Sequence, residues 1–162
     1  MSRTLPADAP AALRLVAPLA DLAFLDIQSM VLPREMSPLE AWRFLMDRPI
    51  PLFAHAFRLR DAIAARFGVK RLGGFRGALP DSVSPGDRLE FFLVEESTPG
   101  LMVLTERDRH LDVMTAVTVE GRRLAITSSV VTHNLFGRLY MLPVAPAHRL
   151  IVRYLMRRAR RG

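Results

Sequence analysis

The residues best suited to chemistry are concentrated in positions 105–150, which hold three of the four histidines. His110 and Asp112 are two residues apart, so on a regular β-strand both side chains project from one face. The predicted pairing of the last two strands brings His133 to the same face. A carboxylate fixes the tautomer of a neighbouring histidine and raises its pKa, which suits general acid/base catalysis. The candidate catalytic residues are therefore His110, Asp112 and His133.

These three residues also allow two other interpretations. With Arg107 and Arg109 nearby they can form an ion-pair network that closes one end of the sheet, and this structural interpretation is the favoured one. A His-x-Asp pair with a distant histidine can bind zinc, but the spacing is too common to predict a metal site. The chain has no cysteine, which excludes thiol nucleophiles, disulfides and iron–sulfur ligation. We predict neither a metal nor a cofactor.

A second polar group lies where the last strand gives way to a helix. Asn134 can cap the helix, and Gly137 can allow close packing of the backbone. Arg138 can hold a carboxylate or a phosphate in a bidentate manner. Arg138 and Tyr140 are therefore the candidate polar anchors for a ligand.

The N-terminal half predicts one strand and two helices. Residues 22–32 form the first strand, and Ser37-Pro38-Leu39-Glu40 is a capping box that opens a helix. A second helix begins at Pro51 and carries an apolar stripe as far as Phe67. The glycine-rich residues 73–77 lack the spacing of a phosphate-binding loop and are predicted to form an ordinary loop.

The C-terminal half predicts a sheet followed by a long helix. Residues 88–96, 101–107, 110–119 and 123–134 read as four strands, and their short connectors imply antiparallel neighbours. If Glu120-Gly121 is the last turn, one face of that pair is apolar and the other is mixed. The helix after Asn134 is interrupted or kinked by two prolines. Its apolar stripe is predicted to close against the sheet through Leu150, Ile151, Tyr154 and Leu155.

The order of these elements predicts an α+β fold of the helix-grip type, in which a curved antiparallel sheet surrounds a long C-terminal helix. Such a sheet leaves an interior cavity where the helix does not fill its concave face. Residues 1–20, rich in Ala and Pro, are predicted to be a flexible leader, and residues 21–162 a single domain.

Three segments also resemble a known family. These are ERDRHLD (106–112), the run VVTHNLFGRLYMLPVAPAHRLIV (130–152) and RLRDAIAARFGVK (58–70). They are similar to a bacterial family of unknown function that is grouped with the START-like, polyketide-cyclase-like helix-grip (SRPBCC) superfamily, and the resemblance covers residues 20–158. It implies a helix-grip fold with a cavity for hydrophobic small molecules. It implies no catalytic residue, because none is established for the family.

The resulting expectation is a protein that binds a hydrophobic or amphipathic small molecule between the sheet and the C-terminal helix. One alternative is a cyclase-, dehydratase- or hydrolase-like enzyme that uses the His/Asp group, so enzymatic activity stays open. The other is an interaction module or peripheral membrane protein without a small-molecule ligand. The predicted ligand-binding residues are Phe91, Leu93, Val103, Leu111, Val113, Ile126, Val130, Arg138, Tyr140, Leu150 and Tyr154.

Charge and hydropathy limit the partners. The formal net charge is +7, and Lys70 is the only lysine among 23 basic residues. The arginine-rich end, RRARRG, can attract nucleic acid or anionic lipid, but a solvated helix end explains it as well. No run approaches the roughly 18 apolar residues that a membrane span needs. We expect a cytoplasmic protein with no nucleic-acid partner and no stable membrane insertion. The oligomeric state is not predicted.

Overall fold

The computed structural model describes residues 5–7, 9–47 and 79–161. Six strands form one antiparallel sheet in the order β1-β6-β5-β4-β3-β2, and a long helix follows the last strand. This confirms the predicted α+β fold class. The bounds, after a short 3-10 turn at Leu19–Asp21, are β1 Phe24–Val31, α1 Pro38–Met46, β2 Arg88–Leu89, β3 Phe92–Ser97, β4 Leu101–Arg107, β5 Leu111–Glu120, β6 Arg123–Thr132 and α2 Leu135–Ala159.

The capping box at the start of α1 is confirmed. The Ser37 hydroxyl accepts the backbone N–H of Glu40 at 3.3 Å, and the Glu40 carboxylate accepts that of Ser37 at 2.7 Å. Two free backbone donors are satisfied in this way, and Pro38 occupies the first helical position, where its missing N–H is not needed. The predicted helix from Pro51 and the predicted loop at 73–77 lie outside the described residues.

The hairpin of β5 and β6 confirms the predicted faces but not the predicted turn. Glu120 pairs with Arg123, so the two-residue connection is Gly121-Arg122 rather than Glu120-Gly121. Gly121 has a φ of +59°, a conformation that favours glycine. Val113 lies opposite Val130 on the apolar face, whereas Asp112 lies opposite Val131 on the mixed face.

The predicted strand 88–96 is wrong, because the chain reverses in its middle. Leu89 pairs with Phe92, so Glu90 and Phe91 form a two-residue turn between β2 and β3. The apolar run on both sides of this turn conceals it in the sequence. The turn also places Glu90 at a φ of +60°, which only a few per cent of non-glycine residues adopt.

Both faces of the sheet are covered. One face packs against α1 and α2, and its largest cluster includes Trp42, Leu104 and Leu124. Residues 9–21 lie on the other face, where Val16 N–H donates to Ser129 Oγ at 3.0 Å and Ala11 N–H to Glu120 Oε1 at 3.0 Å. Ala12 and Val16 of this segment pack against the apolar cluster of that face, which includes Val103 and Ala116.

The helix α2 runs without a break through Pro143 and Pro146. Its buried side includes Met141, Val152, Leu155 and Met156. Leu150 and Tyr154 are 64% and 53% exposed, so the prediction that they face the sheet is wrong, whereas that for Leu155 is confirmed. The cause is that apolar residues occur on two sides of this helix, and only one of the two sides packs. No helix in the described part of the chain is long and apolar enough to cross a membrane.

Candidate functional site

The face of the sheet toward α2 carries two separate apolar clusters. The larger one includes Met30, Leu124 and Ile126, and it contacts Val152 and Leu155 of α2. The smaller one, called here the upper cluster, is built from Phe24, Val130 and Met141 with half-buried neighbours. Those neighbours are Leu111, Val113, Tyr140, Val144 and Ala145.

A row of polar side chains separates the two clusters. Asp26, Ser128 and Thr115 lie opposite one another on β1, β6 and β5, on the face toward α2. Ser128 and Thr115 are 2% and 5% exposed, and their hydroxyl oxygens are 3.4 Å apart. Because a buried polar group is costly unless it is paired, a polar row across a core is a better indicator of function than the apolar residues around it.

The helix α2 places Arg149 beside this row. Arg149 Nε lies 3.7 Å from Asp26 Oδ1, and the guanidinium covers the Phe24 ring at 4.8 Å. Gln28 Nε2 donates to Asp26 Oδ2 at 2.6 Å and to the Arg149 carbonyl at 3.1 Å. These contacts connect β1 to α2 through charged and polar groups.

His148 is the unusual member of this polar group. Its ring packs edge-on against Phe24 at 5.6 Å. Its Nε2 is buried and has no hydrogen-bond partner within residues 5–7, 9–47 and 79–161. Burial lowers the pKa of His148 below its usual value, and Arg149 adds to that shift while Asp26 opposes it. The imidazole is therefore neutral near pH 7, with one nitrogen able to bond a ligand.

A pocket of about 410 Å³ adjoins the polar row at the edge strand β1. Asp26 and Arg149 belong to both the pocket and the row, and Phe24 connects the pocket to the upper cluster. The remaining wall comes from Pro6, Ala23, Leu25 and Ile27. A molecule in this pocket can reach both charged and apolar groups.

The predicted ligand-binding residues divide between several surfaces. Leu111, Val113, Val130 and Tyr140 come together in the upper cluster, while Ile126 and Phe91 belong to the larger cluster on the same face. Leu93 and Val103 instead lie on the opposite face, in register with Thr105 and Glu96. Arg138 is exposed, as are Leu150 and Tyr154.

The physical reason for the error at Leu93 and Val103 is that the sheet is buried on both sides. Apolarity therefore does not indicate which face a residue occupies. A bulge adds to the difficulty, because Val94 pairs with Leu104 whereas Glu96 pairs with Val103, and the register between β3 and β4 shifts in between. For Arg138, the exposed side of α2 keeps the guanidinium away from the interior.

The predicted catalytic residues do not form one cluster. His110 lies just before β5, which begins at Leu111, and its ring contacts Arg109 and Asn134, whereas Asp112 contacts His133. Arg109 Nε donates to His110 Nε2 at 3.0 Å, which leaves Nδ1 to donate to Asn134 Oδ1 at 3.2 Å. The Nδ1 bond thus joins the β4–β5 turn to the start of α2, while the Nε2 bond stays within the turn.

Further contacts strengthen this junction. Asp108 Oδ1 accepts the backbone N–H groups of His110 and Leu111 at 2.6 and 3.0 Å. Asn134 caps α2 by accepting the Gly137 N–H at 3.0 Å and donates to the Arg109 carbonyl at 3.1 Å. The capping role predicted for Asn134 is confirmed. The hydrogen bonds of this junction hold the β4–β5 turn against the start of α2.

Asp112 and His133 do meet, on the face of the sheet away from α2. Asp112 Oδ1 is 3.1 Å from His133 Nε2 and Oδ2 is 3.7 Å from Arg107, which also contacts Glu95 at 2.9 Å. The His133 side chain is 41% exposed. The geometry permits acid/base chemistry, but a chain of ionisable side chains from Glu95 through Arg107 and Asp112 to His133 also makes an ordinary surface network. Among the described residues, no group of three or more His, Asp or Glu is arranged to hold a metal ion.

Glu90 is a titratable group that the sequence did not single out. Burial raises its pKa to about 7, and its Oε2 is buried without a hydrogen-bond partner in the described part of the chain. Its left-handed backbone conformation is strained for any residue but glycine. A carboxyl that is easily kept neutral is therefore held at the β2–β3 turn.

Glu90 should make the stability of the protein fall as the pH rises from about 4.5 to about 7. The folded state retains the proton over this range while the unfolded chain releases it. The Glu90→Gln variant should remove this slope, with a difference of about 1–2 kcal/mol after allowance for solvent screening of the half-exposed side chain. Urea unfolding on both sides of the range measures it, with the exposed Glu35→Gln as control. Equal slopes in the wild type and Glu90→Gln would contradict the assignment.

Sequence reasoning missed the polar row and its neighbours on α2. A signal was present in the first strand, where Asp26 and Gln28 alternate with Leu25 and Ile27. The period of two places both polar residues on the same face as Phe24 and Met30, which is the face that packs against helices. For His148 no such signal exists, since nothing in the sequence pairs it with β1.

The sheet order and the terminal helix define an α+β protein whose arrangement is compatible with a helix-grip fold. Residues 18–155 match the model of a family described as a protein of unknown function (DUF2867). Because the match covers most of the chain, the chain belongs to this family, which agrees with the stated resemblance to a family of unknown function. No curated protein matches the chain.

Proposed function

We propose that the protein binds an amphipathic small molecule whose apolar part contacts the upper cluster and whose polar group contacts Asp26 and Arg149 near His148. The observation that carries the proposal is the buried Nε2 of His148, which has no hydrogen-bond partner among the described residues. The His148 ring packs against Phe24, which is a wall residue of the pocket of about 410 Å³. A buried polar atom without a partner costs about 1–3 kcal/mol. A bound hydroxyl, carbonyl or carboxyl group would remove that cost. Placement in the START-like superfamily, whose members hold hydrophobic molecules, would agree with this function.

The ligand would be oriented by the separation of polar and apolar groups. The Asp26–Arg149 pair and His148 would contact the polar group of the ligand. Phe24 and Val130 provide apolar surface next to them. Small-molecule sites typically combine mostly apolar walls with a few converging polar groups. The pocket thus supports an amphipathic ligand better than a purely hydrophobic one.

Acid/base catalysis by the residues that the sequence favoured has weaker support. His110 uses both ring nitrogens for structural contacts, and Asp112 is held between His133 and Arg107 on the other face of the sheet. The two histidines therefore do not act on one reacting group.

Titration with cis-parinaric acid, a fluorescent fatty acid, tests the proposal. The wild type should bind this amphipathic probe, and His148→Phe should raise the Kd about three- to tenfold, because one hydrogen bond is lost while an aromatic ring is kept against Phe24. Val113→Trp should weaken binding as well, since it fills space at the upper cluster.

The matched control is His133→Phe, the same substitution on the opposite face of the sheet. It should leave the Kd within about twofold of the wild type. Equal losses for His133→Phe and His148→Phe, or no saturable binding by the wild type, would contradict the proposed function.

A further inference from the structure

The outer side of α2 carries a line of exposed apolar side chains that contact nothing in the described fold closely enough to bury them. They are Leu135, Leu139, Leu142, Leu150 and Tyr154, with exposed fractions from 53% to 70%, and they are called here the outer stripe. Their spacing places them within about 120° of the helix circumference, opposite the buried side. A stripe of this length is much more than the isolated exposed leucine that any surface shows.

The charge of the same helix is entirely positive. Residues 135–161 contain no Asp or Glu, whereas the following arginines occur there: Arg138, Arg149, Arg153, Arg157, Arg158, Arg160 and Arg161. Arg153 and Arg157 lie on the same line of the helix as the outer stripe, one and two turns beyond Leu150. Both are exposed and make no hydrogen bond or ion pair with the part of the chain that the structure describes.

We propose that the outer stripe docks the protein on an anionic lipid bilayer, with the leucines in the interfacial region and Arg153 and Arg157 at the lipid phosphates. Interfacial helices combine an apolar face with Lys or Arg on the flanking polar face, and anionic lipids supply the complementary charge. The opposite side of α2 is already occupied by the sheet and by α1, through Val152, Leu155 and Met156. Within residues 5–7, 9–47 and 79–161, nothing buries the outer side, which is therefore the side of α2 open for docking.

Other occupants of this surface fit less well. A second copy of the chain would bring arginines against arginines, because α2 has no acidic residue to pair with them. Nucleic acid would satisfy the arginines but would leave the leucines in contact with polar phosphates and sugars. The N-terminal segment is not available, since residues 9–21 cover the opposite face of the sheet. The proposal does not depend on a ligand in the pocket.

Sedimentation with vesicles tests the docking. The wild type should bind vesicles in which about one-third of the phosphatidylcholine is replaced by phosphatidylglycerol. It should bind vesicles of phosphatidylcholine alone much more weakly. Leu139→Glu with Leu142→Glu should reduce the bound fraction at least tenfold, and Arg153→Gln with Arg157→Gln about tenfold or more. All four residues are exposed, so the variants should fold, which circular dichroism confirms.

Matched controls remove the same groups elsewhere. Val31→Glu places an acid at a residue that is 63% exposed but lies on the strand β1, and Arg14→Gln with Arg34→Gln removes two charges that do not belong to α2. Both controls should stay within about twofold of the wild type in vesicle binding. Equal loss in the controls and the stripe variants would show only a general charge effect and overturn the proposal.

Two further results would overturn it. One is equal binding of the wild type to neutral and anionic vesicles. The other is a concentration-dependent dimer, seen by analytical ultracentrifugation, that Leu139→Glu with Leu142→Glu converts to monomer while vesicle binding is absent. In that case a second copy of the chain is the occupant. Binding of cis-parinaric acid is unaffected by either outcome, so failure of the docking is distinguishable from failure of the proposed function.

Discussion

Leu155→Ala should lower the free energy of unfolding by about 2–5 kcal/mol, among the largest effects of any single substitution in α2. Leu155 is 2% exposed and packs in the cluster that connects α2 to the sheet and to α1. Truncation removes apolar contact and leaves a cavity where the helix meets the sheet. Chemical unfolding in urea, monitored by circular dichroism, gives the value.

Leu150→Ala is the matched control, because the same residue type is removed from the same helix five positions away. Leu150 is 64% exposed, so its truncation should change stability by no more than about 0.5 kcal/mol. A larger loss for Leu150→Ala than for Leu155→Ala would mean that α2 presents its other side to the sheet. Both the polar row and the outer stripe would then be assigned incorrectly.

Gly137→Ala should lower the free energy of unfolding by about 3 kcal/mol. A Cβ at this position would overlap the carbonyl oxygen of His110 and lie 3.2 Å from its carbonyl carbon. That carbonyl accepts the His133 N–H at 2.8 Å, so it cannot move away without breaking a hydrogen bond. The added methyl group therefore separates the β4–β5 turn from the start of α2. Thermal and urea unfolding measure the loss.

Leu135→Ala provides the comparison for Gly137→Ala, since Leu135 is in the same helical turn and 69% exposed. It should be nearly neutral, within about 0.5 kcal/mol. If Gly137→Ala were as stable as Leu135→Ala, the contact between the His110 backbone and α2 would not exist in solution, and the structural role assigned to His110 and Asn134 would be wrong.

Local sequence signals predicted the elements whose hydrogen bonds are made by near neighbours. Ser37 and Glu40 form a capping box within four residues, and Asn134 caps α2 through Gly137. The alternation in β5 and β6 predicted the face of every paired residue, even though the turn was placed one residue early, because a period of two survives a small error in the loop.

Long-range packing decided what the sequence did not reveal. Val103 could not be placed on a face because residues 9–21 bury the side of the sheet that was expected to be open. The helix α2 has apolar residues on two sides, so its sequence alone does not tell whether Leu150 or Val152 faces the sheet. The candidate site also depends on long-range packing, since Asp26 and His148 are distant in sequence and come together only when α2 folds back on β1.

Native mass spectrometry in the presence of cis-parinaric acid tests the central claim, that this protein binds an amphipathic small molecule. The account predicts a species heavier than the chain by one bound molecule, or by a co-purified molecule that the added fatty acid displaces. His148→Phe should reduce that species, and His133→Phe should leave it unchanged. A spectrum that contains only the bare chain at saturating probe would contradict the account.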